Sequence, residues 1–171
     1  MVKGRNLKNN TIKDKKEDVA AKWAQKGKKL KASGQYSKAL KCYDRAIRTN
    51  PEDIKTIYNK GNAMLALGRY READGCYLKV IKENPSNTGA LHNLGWVLSE
   101  RGRFDEALGF YDKALEVDPR DADLWNDKGV SLYFLSEYKE AIRCFNRALG
   151  VEPLYKRSRN NRKICIEAAR R

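Results

Sequence analysis

Apolar residues follow a pattern that repeats along most of the chain. In residues 88–119, Leu91, Leu94 and Leu98 recur at helical spacing up to Gly102; Phe104, Ala107, Leu108, Tyr111 and Leu115 then do the same up to Asp118-Pro119. Apolar positions three or four residues apart share one face of an α-helix, and glycine or proline marks its end. The stretch therefore predicts two helices joined by a tight turn. A shift of 34 residues superposes the pattern on itself: Gly27, Gly61, Gly95 and Gly129 come into register, then Ala39, Ala73, Ala107 and Ala141, then Tyr43, Tyr77, Tyr111 and Phe145. All four prolines, Pro51, Pro85, Pro119 and Pro153, sit on the same lattice. Four copies of one unit are predicted, at 20–53, 54–87, 88–121 and 122–155.

Glycine and alanine at matched places remove bulk where two helices cross, and the aromatic at the Tyr111 position fills the space beside them. A single helix pair cannot bury its apolar face alone. Stacked copies bury it against one another, so the predicted fold is all-α, a solenoid of helix-turn-helix units with a concave and a convex surface. Residues 1–11 are polar, basic and aperiodic, which predicts a disordered arm. Thr11-Ile12-Lys13-Asp14 reads as a helix start, so the repeat domain is expected over 12–155. Beyond Glu152-Pro153 the period fades, and residues 156–171, free of glycine and proline, predict a basic helix that caps the last repeat.

Composition narrows the function more than the fold. No unbroken apolar run approaches a membrane span and MVKGRNLKNN holds no apolar signal core, so a cytoplasmic protein without membrane contact is expected. Cys42, Cys76 and Cys144 take the same place on successive second helices. Helices pack about 8–10 Å apart and a disulfide needs Cα atoms within about 7 Å, so these are expected to be reduced packing residues. A catalytic reading finds no phosphate-cradling loop, no paired histidines, and His92 alone as a base near neutral pH. No enzyme activity, cofactor or metal is expected.

The net charge of +14 is concentrated at the ends. Residues 1–34 hold 11 Lys or Arg against 3 Asp or Glu, and residues 154–171 hold 7 against 1, which leaves 18 of each sign between them. Basic ends make nucleic acid or another polyanion the alternative partner.

These landmarks resemble the tetratricopeptide repeat (TPR), whose 34-residue pattern runs Trp, Leu, Gly, Tyr, Ala, Phe or Tyr, Ala, Pro. Trp23 and Trp125 match its tryptophan, with Ile57 and Leu91 in the middle repeats; Ala46, Ala114 and Ala148 match its second alanine, and Val80 departs from it. The leucine before the glycine survives as Leu94, while Lys26, Lys60 and Lys128 stand there in the other copies. The resemblance implies a right-handed superhelical solenoid that binds a partner protein in the concave groove lined by the first helix of each repeat. Carried over by position, the lining is Ala21, Ala24, Lys28 and Lys31; Lys55, Tyr58, Asn62 and Leu65; Gly89, His92, Trp96 and Ser99; and Asp123, Asn126, Val130 and Tyr133. Such a groove begins basic, passes an aromatic and amide centre, and ends at Asp123 with Asp127 beyond, fitting a ligand acidic at one end and basic at the other.

Some TPR co-chaperones grip the acidic tails of heat-shock chaperones with two asparagines and three cations. Asn62 and Asn93 match the asparagines here, but Tyr58, Asp123 and Asp127 take the cationic places, and a start one repeat earlier matches Asn59 alone. Carboxylates repel a carboxylate ligand, so binding of that type is not expected. Should the carboxy-terminal helix cover the last repeat poorly, its apolar edge would pair two copies into a homodimer.

Overall fold

A computed structural model describes the backbone of residues 3–170 and the side chains of 15–170. Residues 1 and 2 of the expected arm, and residue 171 of the expected cap, lie outside the described residues. The chain divides into two compact units, Met1–Glu83 and Asn84–Arg171. Nine helices and no strand occur among the described residues. The first unit holds α1 (Lys3–Ala32), α2 (Tyr36–Thr49), α3 (Ile54–Ala66) and α4 (Tyr70–Glu83). The second holds α5 (Thr88–Glu100), α6 (Phe104–Val117), α7 (Ala122–Phe134), α8 (Tyr138–Val151) and α9 (Lys156–Ala168). Within each unit every helix packs on the next in the chain, and first helices of consecutive repeats also touch, α1 on α3, α5 on α7 and α7 on α9. This is the all-α solenoid of helix-turn-helix repeats that the 34-residue period predicts.

Helix starts follow the sequence signals. Asp53, Asn87 and Asp121 cap α3, α5 and α7, their side-chain oxygens accepting from the amides of Thr56 (3.1 Å), Ala90 (2.9 Å) and Leu124 (3.0 Å). The turn inside each repeat needs a left-handed residue, supplied by Gly34, Gly68 and Gly102 with φ of 74°, 69° and 72°. In the fourth repeat Ser136 takes that place at φ 63°. A side chain in the left-handed region carries a strain of about 1–2 kcal/mol that the glycines escape.

Four glycine–aromatic pairs lock the repeats. A Cβ built on Gly27, Gly61, Gly95 or Gly129 would stand 2.5–2.9 Å from the ring of Tyr43, Tyr77, Tyr111 or Phe145, sixteen residues on. All four rings are buried, as are the alanines one turn before them. The lysines that replace the family's leucine do more than cover apolar surface: Lys60 pairs with Asp44 at 2.8 Å, and Lys128 with Asp112. All four cysteines are free; Cys42, Cys144 and Cys165 are buried, and burial pushes the Cys144 thiol up to about 11.

The amino-terminal end differs from the sequence expectation. Helix α1 begins at Lys3, taking in residues 3–11 that the composition sets aside as an arm. No proline intervenes before Gly34, and Gly27, seated on Tyr43, is the one glycine between Gly4 and Gly34, so little in the sequence breaks the helix. At the other end the period does not fade in the backbone. Helices α3, α5, α7 and α9 begin at 54, 88, 122 and 156, and each is 13 residues long. Helix α9 is thus the first helix of a fifth repeat. It packs on α7 and α8, where Cys165 joins the core of Leu132, Cys144 and Phe145. Arg162 donates to Asn146 at 2.7 Å, sixteen residues back, as Lys60 and Lys128 reach Asp44 and Asp112.

Candidate functional site

In the first unit the expected groove residues come together on α1 and α3. The Lys31 ammonium donates to Asn59 Oδ1 at 3.1 Å, and Asn59 Nδ2 donates to the Lys55 carbonyl at 2.8 Å. Burial lowers the Lys31 pKa, and the charge of Lys28 lowers it further. None of Lys28, Lys31 and Lys55 has a carboxylate within ion-pairing distance among the described residues. Asn62 Oδ1 accepts from the Tyr77 hydroxyl at 2.7 Å, and the rings of Tyr58 and Tyr77 meet edge to face at 6.1 Å. In the first repeat Lys28 stands where Asn62 stands in the second. The Tyr43 hydroxyl, counterpart of Tyr77, is accordingly buried without a hydrogen-bond partner, its pKa pushed up to about 12 by burial.

In the second unit the corresponding positions satisfy one another. His92 Nε2 lies 2.9 Å from Asp127 Oδ2, and its ring meets Tyr111 edge to face at 6.0 Å. Asn126 Nδ2 donates to Asp127 Oδ1 at 2.9 Å, while Asn126 Oδ1 accepts from Ser158 (2.9 Å) and Asn161 (3.0 Å) on α9. Arg157 lies 3.4 Å from Asp127 and 3.5 Å from Asp123, and the Tyr155 hydroxyl donates to Asp123. Ser99 and Ser131 share a hydrogen bond at 2.8 Å. Trp96 and Asn93 are half-buried and each has a partner. Tyr133 packs against the rings of Phe134 and Tyr138.

In this geometry much of the expected acidic end of the groove meets the chain's own residues. Asn126 is fully buried beneath α9 and Asp127 is 9% exposed, so neither offers itself to a ligand. Arg157 lies between Asp123 and Asp127, and His92 hydrogen-bonds Asp127. The cause is α9, which lays Tyr155, Arg157, Ser158 and Asn161 on the α7 face where a ligand was expected. Those four residues are missed by a reading of tryptophan, glycine and aromatic landmarks, because α9 has Arg159 and Lys163 in the tryptophan and glycine places. Alignment of 156–168 on 122–134 puts Arg162 at the Lys128 position, and that is the signal that finds the helix.

Burial of the His92 ring lowers its pKa, but the hydrogen bond to Asp127 and the charges of Asp127, Asp121 and Asp123 outweigh that, and the net shift is upward. A folded-state pKa above the unfolded one gives stability that is complete below the ordinary histidine value of about 6.5 and is lost as pH rises through the folded value. Thermal melts are therefore expected to show wild type gaining on His92→Gln as pH falls from about 8 to about 6. Parallel melting curves across that window would remove His92 from the ion pair.

Three family profiles match the chain, one described as TPR repeat over residues 27–68 and two as tetratricopeptide repeat over 58–123 and 110–143. The chain belongs to the tetratricopeptide repeat family. No curated protein matches it. Among solved structures, a crystal structure of MamA protein has 17% identity and a TM-score of 0.84, covering 90% of this chain and 85% of that one. MamA 41-end from Desulfovibrio magneticus RS-1 has 21% identity and a TM-score of 0.79, covering 88% of this chain and 90% of that one. A tetratricopeptide repeat protein from Parabacteroides merdae ATCC 43184 has 21% identity and a TM-score of 0.80, covering 90% of this chain and 60% of that one. At such identities the likeness concerns the fold. No helix among the described residues is long and apolar enough to cross a membrane.

Proposed function

We propose that this protein is a non-catalytic interaction scaffold whose α1–α3 face holds an acidic peptide or helix of a partner protein. The carrying observation is the set Lys28, Lys31 and Lys55 on α1 and α3, three cations without a carboxylate partner among the described residues, of which Lys31 donates to the Asn59 amide. Equivalent positions on α7 are filled by the chain's own α9, so ligand capacity is concentrated in the first unit. Desolvation of Lys31 supports this reading, because a half-buried ammonium held by one neutral amide gains most from an incoming carboxylate. Tyr58 and Asn62 give the ligand a flat edge and an amide beside these charges. The arrangement is not the chaperone-type clamp, which needs cations where Tyr58, Asp123 and Asp127 stand.

The test is a library of fluorescent acidic, neutral and basic peptides titrated with wild type and with Lys28→Glu plus Lys31→Glu. Acidic peptides are expected to bind best and to lose at least about tenfold in affinity to the double variant. Equal binding of acidic and basic peptides, or affinity indifferent to the double reversal, would sink the reading.

A further inference from the structure

Trp125 and Asn126 are neighbours on α7, about 100° apart around the helix, so Trp125 faces away from the network under α9. There, Arg120 of the α6–α7 turn and Arg143, Asn146 and Arg147 of α8 enclose with Trp125 a hollow of about 710 Å³. Gly150, one turn beyond Arg147, also lines it and adds no side chain. Arg120 and Arg147 have no carboxylate partner among the described residues. Arg143 reaches Glu140 at 3.2 Å with its own side chain 77% exposed. Such a solvent-screened pair yields to a better anion.

Comparison with the first repeat shows what the hollow lacks. Trp23 and Arg45 stand three repeats before Trp125 and Arg147, and the Arg45 guanidinium lies 4.5 Å over the Trp23 ring. Over Trp125 the cation found among the described residues is Lys128, at 5.8 Å, and Arg147 is not stacked there. The Trp125 indole is held in orientation by its N–H, which donates to the Pro119 carbonyl at 2.9 Å. A fixed aromatic platform thus sits among three guanidinium groups, without the stacked arginine that covers its counterpart in the first repeat.

We propose that this face of the second unit binds single-stranded nucleic acid, a base stacking on Trp125 while the adjoining phosphates meet Arg120, Arg143 and Arg147. A flat ring with phosphates one nucleotide apart matches this donor set, since every base has a π-face and guanidinium pairs with phosphate in two-point fashion. The track continues beyond one nucleotide. Asn146, on the rim of the hollow, accepts from Arg162 of α9, and Arg162 borders a second hollow with Arg159 and Lys163. Continuation onto α9 favours a strand over a free nucleotide. A duplex keeps its bases stacked inside and gives Trp125 nothing to hold.

The test is fluorescence anisotropy of labelled single-stranded DNA and RNA of about 12 nucleotides, in about 50 mM salt. Single strands are expected to bind, and Arg143→Glu with Arg147→Glu is expected to weaken them by about tenfold or more. The same variant should flatten the slope of log affinity against log salt by about 1.4, the share of two phosphates on a single strand. Lys28→Glu with Lys31→Glu, in the other unit, should leave strand binding unchanged. In a chain carrying Trp23→Phe and Trp96→Phe, the emission of Trp125 should be quenched by the strand. Absence of binding, or binding indifferent to the arginine reversals, overturns the proposal. So does duplex DNA or polyglutamate competing as well as the strand with Trp125 emission unmoved, which would make the attraction one of charge alone. A mononucleotide that binds as tightly as the strand overturns the assignment to a polymer.

Discussion

Replacement of Tyr111 by alanine is expected to destabilise the protein by about 3–5 kcal/mol in urea unfolding followed by circular dichroism. The ring is fully buried between α5 and α6, and the space it leaves is bounded by helix backbone at Gly95, which cannot collapse inward. The reciprocal change is informative because two effects oppose each other. Alanine is better than glycine within a helix by about 1 kcal/mol. At Gly95 the new methyl would stand 2.7 Å from the Tyr111 ring. Overpacking of that kind costs about 1–3 kcal/mol and reverses the sign. At Gly109 on α6, where a Cβ meets nothing within 4 Å, the propensity gain is expected to remain. Gly95→Ala should therefore destabilise and Gly109→Ala stabilise. With Tyr111→Ala in place, Gly95→Ala should cost far less than it does alone, since the clashing ring is gone. Additive effects of the pair would mean that glycine and ring do not lock against each other.

Asn126→Leu is the second substitution with a large expected effect, about 2–5 kcal/mol, because it keeps the volume but strands three polar partners. Ser158, wholly buried, loses the oxygen to which it donates; Asn161 loses the same oxygen; Asp127 loses one donor. Desolvation of such groups is what makes a half-removed network worse than none. Hydrogen exchange should then show α9 losing protection ahead of α7 and α8, and Ser158→Ala added to Asn126→Leu should recover part of the loss. Unaltered protection along α9 would show that its apolar contact through Cys165 holds it without the amide.

What the sequence discloses here is whatever repeats. Gly95 opposite Tyr111 is legible because the same pairing recurs at Gly27, Gly61 and Gly129, and because turn and cap residues act within a few positions of themselves. Helix α9 is hidden for the converse reason: its place on the lattice is kept while the residues that advertise the lattice are exchanged for Arg159 and Lys163. The groove was legible only as positions. Lys31 meets Asn59 through the contact of two first helices, as their offsets suggest. The partners that α9 and its cap bring to Asp123 and Asp127, Tyr155 and Arg157, lie outside the tryptophan, glycine and aromatic landmarks and carry no motif. The face around Trp125 escaped for a different reason, since tryptophan there reads as a core landmark until the positions of Arg45 and Arg147 are compared.

Lys163 has a consequence for assembly. Every second helix in the stack seats its ring on a glycine of the preceding first helix, and α9 presents lysine in that place. A helix arriving from another copy in the same register would meet a charged stem where the seat should be. One side chain on α9 is therefore expected to disfavour the heterologous, head-to-tail docking of a second copy in this register, the kind of contact that runs on into fibres.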